Sequence, residues 1–383
     1  MSDSRETEPS RGIVRLVSDV IARSLAAGAS DIHFEPLADR LLVRIRVDGR
    51  LADFEGIPAA IAENVIARLK VMAGLLTYRV DIPQEGSLRW QPEGDGAGTG
   101  PTDLRVATFP TIRGERAVVR AFGARAPVET LDQLGLAPRQ VDQLRWATSL
   151  PSGLVPITGP AGSGKTTTLY AMVRHIVQTT PDRSIVTLED PVEQRIDRVA
   201  QIQINPYGEL NYERCLRSLL RQDPQTILLG EIRDAATASV AVEASLTGHL
   251  ILTTMHSGDP AEAIVRLLEM GIAAYQVVSS VVMVCSQRLL RRAQTGQHGE
   301  DERSAHRQFG PGGRYVGRVA CAQIARIDET VRELILAHPS VSRLRQAIAG
   351  QGPDLYQRAC ELADQCVTDT DEVRRILGEP LET

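Results

Sequence analysis

The spacing of hydrophobic and polar positions near the N-terminus predicts a small domain of helices and antiparallel strands. Apolar residues recur at helical spacing over residues 12–27 and again over 61–72. Between them, residues 41–47 show the period of two that is typical of a half-buried strand. The dipeptide Asp48-Gly49 follows and favours a tight hairpin turn.

Two further strands are expected at about 103–109 and 116–122, on either side of the segment TIRGER. The glycine-rich stretch 91–101 before them predicts a loop. A proline and a change in composition just beyond these strands indicate a domain boundary. We therefore assign residues 1–123 to an N-terminal domain and 124–135 to a linker.

The pattern beyond the linker is of another kind. Short apolar runs, LVPIT, SIVTL, TILLG and HLILTTM, alternate with helical segments. This is the βαβ rhythm of a parallel sheet that is covered on both faces by helices. The sequence thus predicts an α/β fold, with a core at residues 136–290 and a helical C-terminal region at 291–383.

Composition narrows the class of protein. Hydrophobic residues make up 43% of the 383 residues and charged residues 24%, as in soluble globular proteins. No apolar run reaches the roughly 18 residues of a membrane span, and the polar N-terminus lacks a signal-peptide pattern. A cytoplasmic location is expected. The net charge of −5 and the lack of mixed basic and aromatic stretches argue against a nucleic-acid partner.

The five cysteines form no CxxC pair, so they are expected to be buried apolar residues. A structural zinc site needs four Cys or His ligands at close spacing. The segment after Arg292 supplies only His298 and His306 before the next cysteine. No zinc is expected.

The motif GPAGSGKT fits G-x-x-x-x-G-K-[ST], in which glycines let backbone N–H groups surround phosphate oxygens at a helix N-terminus. A strand is predicted before it and a helix after it, whereas an ordinary glycine-rich turn needs neither. Lys165, one of two lysines in the chain, would reach the β- and γ-phosphates, and Thr166 would bind Mg²⁺. The expected cofactors are ATP and Mg²⁺. The residues expected to bind the nucleotide are Gly159, Pro160, Ala161, Gly162, Ser163, Gly164, Lys165, Thr166 and Thr167.

Acidic residues follow two of the predicted strands: Glu189 ends SIVTL, and Glu231 follows TILLG. Ligands of open α/β sheets bind at the carboxyl ends of strands. There Glu231 could hold Mg²⁺ directly or through water, and either acid could orient the attacking water. Taken alone, an acid at such a position is more often a helix N-cap or a solvated surface group. His249 and His256 flank one strand and are kept as catalytic candidates, although spacing alone leaves structural roles open.

Four long blocks occur in order: GPAGSGKTTTLYA, TLEDPVEQ, LRSLLRQDPQTILLGEIRD and TGHLILTTMHSGDPAEAIVRLLEMGI. With GASDIHFEP, VRIRVDG, ARLKVMAG, IPQEG and FPTIRGER before them, the chain resembles the ATPases that drive type II secretion and type IV pilus assembly. The resemblance runs from about residue 15 to 340. It assigns Glu189, Asp190 and Glu193 to the Asp box, Glu231 to Walker B, and both histidines to the His box.

The resemblance implies a PAS-like N-terminal domain followed by a RecA-like P-loop domain. It further implies a homo-hexamer at the inner membrane that pushes on a membrane platform protein. ATP would lie between the two domains of one subunit and touch a neighbour. The segments GEIRD and RLLEMGI favour an assembly motor over a retraction motor.

Three departures from the family pattern leave alternatives open. The chain begins close to the family core, as short competence-pilus members do, so whether it contacts a membrane adaptor protein is left open. The four-cysteine zinc module is absent, and Ser87 replaces a family arginine. The alternatives are a competence-pilus, retraction or conjugation-type export motor, or a weakly active ATP-binding scaffold. The arginines expected to complete a shared site are Arg105, Arg113, Arg116, Arg217 and Arg221, and Arg120 is a further basic candidate of the first domain.

Overall fold

The structure is a computed structural model. It describes residues 8–91, 102–122, 128–204, 211–294, 314–337 and 340–379. The chain divides into two compact units, Met1–Ala126 with Gln294–Gly317, and Pro127–Ala293 with Arg318–Thr383.

In its described residues, the first unit contains a six-stranded sheet and two α-helices. The helices are α1 (Glu8–Ala26) and α2 (Ala62–Met72), and the strands are β1 (Asp31–Pro36), β2 (Arg40–Val47), β3 (Arg50–Pro58), β4 (Gln84–Trp90), β5 (Thr102–Thr111) and β6 (Gly114–Phe122). The strand order is β3-β2-β1-β6-β5-β4, and every neighbouring pair is antiparallel.

The predicted α+β pattern of this unit is confirmed. Leu41, Val43 and Ile45 of β2 are fully buried in one apolar core with both helices. Asp48 and Gly49 adopt positive φ angles of 47° and 82°, as a two-residue hairpin turn between β2 and β3 requires. Apart from residue 91, the glycine-rich stretch lies outside the described residues.

The second unit is built on a seven-stranded sheet of order β13-β12-β7-β11-β10-β8-β9. Its strands are β7 (Gly153–Thr158), β8 (Ile185–Glu189), β9 (Ala200–Gln203), β10 (Thr226–Leu229), β11 (Leu250–Met255), β12 (Met283–Ala293) and β13 (Tyr315–Arg326). Its helices are α3 (Pro138–Ser149), α4 (Lys165–Thr179), α5 (Tyr212–Leu219), α6 (Ala235–Leu246), α7 (Pro260–Glu269), α8 (Ala274–Ser280), α9 (Glu329–Leu336), α10 (Val341–Ala349), α11 (Leu355–Asp364) and α12 (Thr370–Leu377).

The predicted parallel sheet is confirmed: β8, β10, β11 and β7 pair in parallel in that order. Every residue of these four strands is buried, and the sheet separates two large apolar cores to which the helices contribute. The apolar runs are continuous because both faces of the sheet are covered.

The helical prediction for residues 291–383 is wrong for 315–326, which form β13. A short apolar run that is buried on both faces cannot be told from a buried helix by its periodicity. The described part of the predicted linker also differs, because residues 131–134 form a 3-10 helix whose Leu131 and Leu134 join a core of the second unit. Over the described ranges, no helix has the length and hydropathy needed to cross a bilayer.

Candidate nucleotide site

The phosphate loop connects β7 to α4, as its motif predicts. Gly159, Gly162 and Gly164 adopt φ angles of +145°, +75° and +86°, which residues with a side chain rarely adopt. A Cβ atom on Gly159 would overlap the carbonyl oxygen of Gln287, whereas a Cβ on Gly162 would meet nothing within 4 Å. The loop is therefore packed against β12 at its base and open at its tip, where a phosphate group fits.

Lys165, the first residue of α4, points back into this loop. Its Nζ donates hydrogen bonds of 2.9 Å to the carbonyl oxygens of Gly159 and Pro160, and the residue is only 9% exposed. Burial lowers the pKa of the ammonium group; the charge of Glu231 opposes this shift, and that of Arg288 adds to it. The loop thus holds a buried cation with neutral oxygens.

Glu189 is buried at the end of β8 and is held by three donors. Its Oε1 accepts from Thr187 Oγ1 at 2.5 Å and from Gln201 Nε2 at 3.3 Å, and its Oε2 accepts a short hydrogen bond from the Tyr170 hydroxyl. Burial, and then the charge of Glu189, raise the pKa of Tyr170, so the phenol stays a donor. The carboxylate therefore has a fixed orientation.

The backbone before Glu231 is fixed by both neighbouring strands. The N–H of Gly230 donates to the Leu188 carbonyl at 2.8 Å, and Thr254 Oγ1 donates to the Gly230 carbonyl at 2.7 Å. The Glu231 carboxylate accepts a short hydrogen bond from Arg233. The carboxylate is otherwise more open than that of Glu189, because 17% of the Glu231 side chain is exposed.

The predicted motifs meet in one cleft of about 180 Å³ at the carboxyl ends of the parallel strands. Its polar lining residues are Lys165, Thr166, Glu189, Asp190, Glu193, Tyr212, Glu231, Thr254 and His256. The Nε2 atom of His256 lies 3.6 Å from the Glu231 carboxylate. The structure thus brings the predicted acids together beside the phosphate loop, and their catalytic roles stay predictions.

His249, a predicted catalytic residue, lies at the edge of the sheet opposite to the cleft. It precedes β11, whereas His256 follows the same strand, so the two are separated by roughly 20 Å at 3.3 Å per residue. Its Nδ1 lies 2.9 Å from the Ala244 carbonyl at the end of α6. This contact gives His249 a structural role in the α6–β11 connection.

Five of the six candidate arginines have side-chain partners within their own units. In the first unit, Arg105 forms a short ion pair with Glu85, and Arg116 lies 3.0 Å from Glu35. The further contacts are Arg120 with Asp31 at 2.8 Å, Arg217 with Glu213 at 3.2 Å and Arg221 with the Arg217 carbonyl at 3.2 Å, while Arg113 lies in the β5–β6 hairpin. A role for them at a nucleotide stays a prediction.

Three residues of the site were not predicted from the sequence: Tyr170, Tyr212 and Gln287. Burial, and then the charges of Asp190 and Glu231, raise the pKa of Tyr212, which lines the cleft. Tyr170 lies within the phosphate-loop block, five residues after Lys165, so its position was a usable signal. Gln287 lies 123 residues after Gly164, and only the fold brings the two together.

The donors of the cleft fit Mg²⁺ bound to a nucleotide. Such an ion takes one or two protein oxygens and completes its shell with phosphates and water. The hydroxyl of Thr166 and the carboxylate of Glu231 line the same cleft. Within the described ranges, no three His, Cys, Asp or Glu side chains are grouped for a protein-only metal site. His298 and His306 lie outside those ranges, so the prediction about zinc stays a prediction.

A phosphate loop on a parallel sheet, with acids at the ends of neighbouring strands, defines a P-loop nucleotide-binding protein. The family model described as "Type II/IV secretion system protein" matches residues 6–375. The chain belongs to this family, and the resemblance to secretion and pilus ATPases is confirmed.

Two curated relatives show the range of the family. The type IV pilus assembly ATPase PilB of Thermus thermophilus is 35% identical over 382 residues, covering 94% of this chain and 42% of PilB. The type II secretion system protein HxcR of Pseudomonas aeruginosa is 37% identical over 359 residues, covering 92% of this chain and 74% of HxcR. This chain therefore spans less than half the length of PilB.

The fold is also that of a known ATPase structure. The X-ray structure of the Legionella pneumophila ATPase DotB matches with a TM-score of 0.73 at 21% identity, covering 98% of this chain and 97% of DotB.

Proposed function

We propose that this chain is an ATP-hydrolysing motor that powers type II secretion or the assembly of a pilus or pseudopilus at the inner membrane. The observation that carries the proposal is the single cleft in which Lys165, Glu189 and Glu231 lie together. Family membership and the names of PilB and HxcR support the kind of work that the motor performs.

The proposed architecture is a PAS-like N-terminal domain (residues 1–123) and a RecA-like domain (136–290), which work in a homo-hexameric ring. The ring would lie on the cytoplasmic side of the inner membrane and act on a platform protein. Arg105, Arg116, Arg217 and Arg221 are the proposed arginines that complete each site across the ring.

Several polar residues of the cleft have their own proposed roles. Bound Mg²⁺ supplies charge neutralisation at the phosphates, and Thr166 and Glu231 would hold it, Glu231 directly or through water. Lys165 would stabilise the negative charge that develops during phosphoryl transfer. Glu189 is fixed by three donors and therefore suits the orientation of the attacking water. His256 would position Glu231.

A weakly active ATP-binding scaffold is the alternative that one observation favours: Arg233 already engages the Glu231 carboxylate. A turnover assay separates the two functions. A motor turns ATP over repeatedly, whereas a scaffold binds ATP and hydrolyses it more slowly by orders of magnitude.

The ring is tested by mixing two inactive variants, Lys165→Ala and Arg116→Ala. A mixed ring contains sites in which an intact Lys165 faces a neighbour with an intact Arg116, so activity is expected to return in part. Specific activity of the unmodified chain should also rise with concentration as subunits assemble. Flat activity across a demonstrated monomer–hexamer equilibrium, with no rescue on mixing, would refute the shared site.

A further inference from the structure

Gln287 on β12 contacts the phosphate loop from behind. Its side chain is 1% exposed, although it is polar. Its Nε2 donates a hydrogen bond of 2.9 Å to the carbonyl oxygen of Ser163, and its Oε1 accepts one of 2.7 Å from Thr168 Oγ1. One amide group therefore joins the end of the loop to the first turn of α4.

The orientation of this amide follows from the chemistry of its partners. The Ser163 carbonyl can only accept a hydrogen bond, so the NH₂ group must face it, and the amide oxygen is left for the Thr168 hydroxyl. A buried amide that lost either partner would leave a polar group unsatisfied. The pair of bonds therefore favours one loop shape.

Gln287 also packs against both ends of the loop. A Cβ atom on Gly164 would lie 2.8 Å from Gln287 Nε2, and a Cβ on Gly159 would overlap the Gln287 carbonyl oxygen. Close packing against Gln287 thus requires glycine at these two positions, in addition to their positive φ angles. The loop therefore lies close against β12 at both glycines.

The strand that carries Gln287 is itself held in place. Arg288 Nη1 donates to the Gln287 carbonyl at 3.0 Å, and its Nη2 donates to the Gly258 carbonyl at 2.9 Å. Further along β12, the buried Arg291 donates to the carboxylate of Glu372 on α12 at 2.7 Å. The strand behind the loop is therefore also held by contacts with Gly258 and Glu372 of the same unit.

We propose that Gln287 is a positioning residue that holds the phosphate loop in its nucleotide-binding shape. This inference rests on the proposed function. Gln287 lies behind the loop and acts through it, so its loss lowers the fraction of molecules with a competent loop. The apparent dissociation constant rises by the inverse of that fraction. Binding of substrate and transition state weaken together, so KM rises while kcat changes little.

The test is Gln287→Leu, measured by binding of fluorescent ATP and ADP analogues and by steady-state ATP hydrolysis. We expect affinity to fall by about tenfold, the fold-change that about 1.4 kcal/mol produces. KM should rise by the same factor, with kcat within about twofold of the original. Wild-type affinity and KM in this variant would overturn the inference.

Gln140→Leu is the matched control. Gln140 is also a buried glutamine of the second unit, at 8% exposure, with hydrogen bonds to the Ala322 carbonyl at 2.5 Å and from the Ala137 N–H at 3.2 Å. It lies on α3 and does not line the cleft. The control should lose comparable stability and keep its nucleotide affinity; an equal loss of affinity in both variants would assign Gln287 a general structural role and overturn the inference.

Thr168→Val keeps the shape of the side chain and removes only one of the two bonds. We expect affinity to fall about threefold, with no further loss when it is combined with Gln287→Leu, because the shared bond is already absent. If Gln287→Leu does not fold, unchanged affinity in Thr168→Val overturns the inference. A wild-type chain that binds no ATP contradicts the proposed function instead.

Discussion

The two lysines of the chain are both buried, but one is paired with a carboxylate and the other only with backbone carbonyl groups. Lys70 of α2, in the first unit, is fully buried, and its Nζ lies 2.8 Å from the Glu115 carboxylate and 2.9 Å from the Arg79 carbonyl. Lys165, in the phosphate loop of the second unit, is nearly as buried and donates to two backbone carbonyls.

The difference distinguishes a structural cation from one that is prepared for a ligand. The carboxylate of Glu115 neutralises Lys70, so that pair needs nothing further. Carbonyl dipoles stabilise Lys165 but leave its positive charge in place. Because Lys165 is largely buried, its charge acts on a nearby phosphate more strongly than it would in bulk solvent.

The largest expected effect comes from Lys165→Ala. The variant should fold, because the partners of Lys165 are uncharged carbonyl groups, so its loss leaves no buried charge unpaired. ATP hydrolysis should fall by at least about 10²-fold, as when one preorganised donor is lost from a transition-state site. The check is to compare the ATP hydrolysis rates of the variant and the original chain after showing that their circular dichroism spectra match. Near-normal rates would mean that the two lysines do not differ in the way described.

Lys70→Met should give the reverse result: a loss of stability. The Glu115 side chain is 8% exposed, so the change leaves a buried carboxylate without its cation. We expect a free energy of unfolding lower by about 3 kcal/mol, measured by urea denaturation of the first unit's transition. The double variant Lys70→Met with Glu115→Leu should recover most of the loss. A neutral effect of Lys70→Met would show that the pair contributes little.

A buried carboxylate of the second unit, Glu372, extends the comparison to the effect of pH on stability. Burial disfavours the charged form of Glu372, but hydrogen bonds from Arg375 and Arg291 lower its pKa to about 2. A depressed folded-state pKa gives stability that is present above the ordinary value of 4.5 and is lost as pH falls towards about 2.

Through Glu372, the free energy of unfolding of the second unit should therefore fall by about 2 kcal/mol between pH 5 and pH 2, as measured by thermal unfolding. Glu372→Gln should be less stable than the original chain at pH 6, and the two should converge as pH falls. Parallel pH profiles for the two chains would contradict the assignment.

The parts of the fold that sequence predicts best are those with a local signal. The alternation of Leu41, Val43 and Ile45 and the turn at Asp48-Gly49 depend on neighbours in the chain, and both are confirmed. The phosphate loop has the same character, since its glycines and its lysine are contiguous. Both strand-end acids follow from the rule that parallel strands end at one edge of the sheet.

The parts that sequence misses depend on distant contacts. β13 has the composition of a buried segment, and only its position beside β12 makes it a strand. Gln287 resembles any polar residue after an apolar run, until the fold places it against the loop. His249 and His256 belong to one motif, but the strand between them carries them to opposite edges of the sheet.

The central claim is that the cleft around Lys165 and Glu231 hydrolyses ATP. Its most direct test measures ATP binding and ATP turnover of Glu231→Gln beside the original chain, with Glu189→Gln as a second, milder variant. Because the amide keeps the shape and removes the charge needed near Mg²⁺ or water, we expect near-normal ATP affinity and turnover lower by about 10²-fold. Wild-type turnover in both variants would contradict the claim and assign the two acids a structural role.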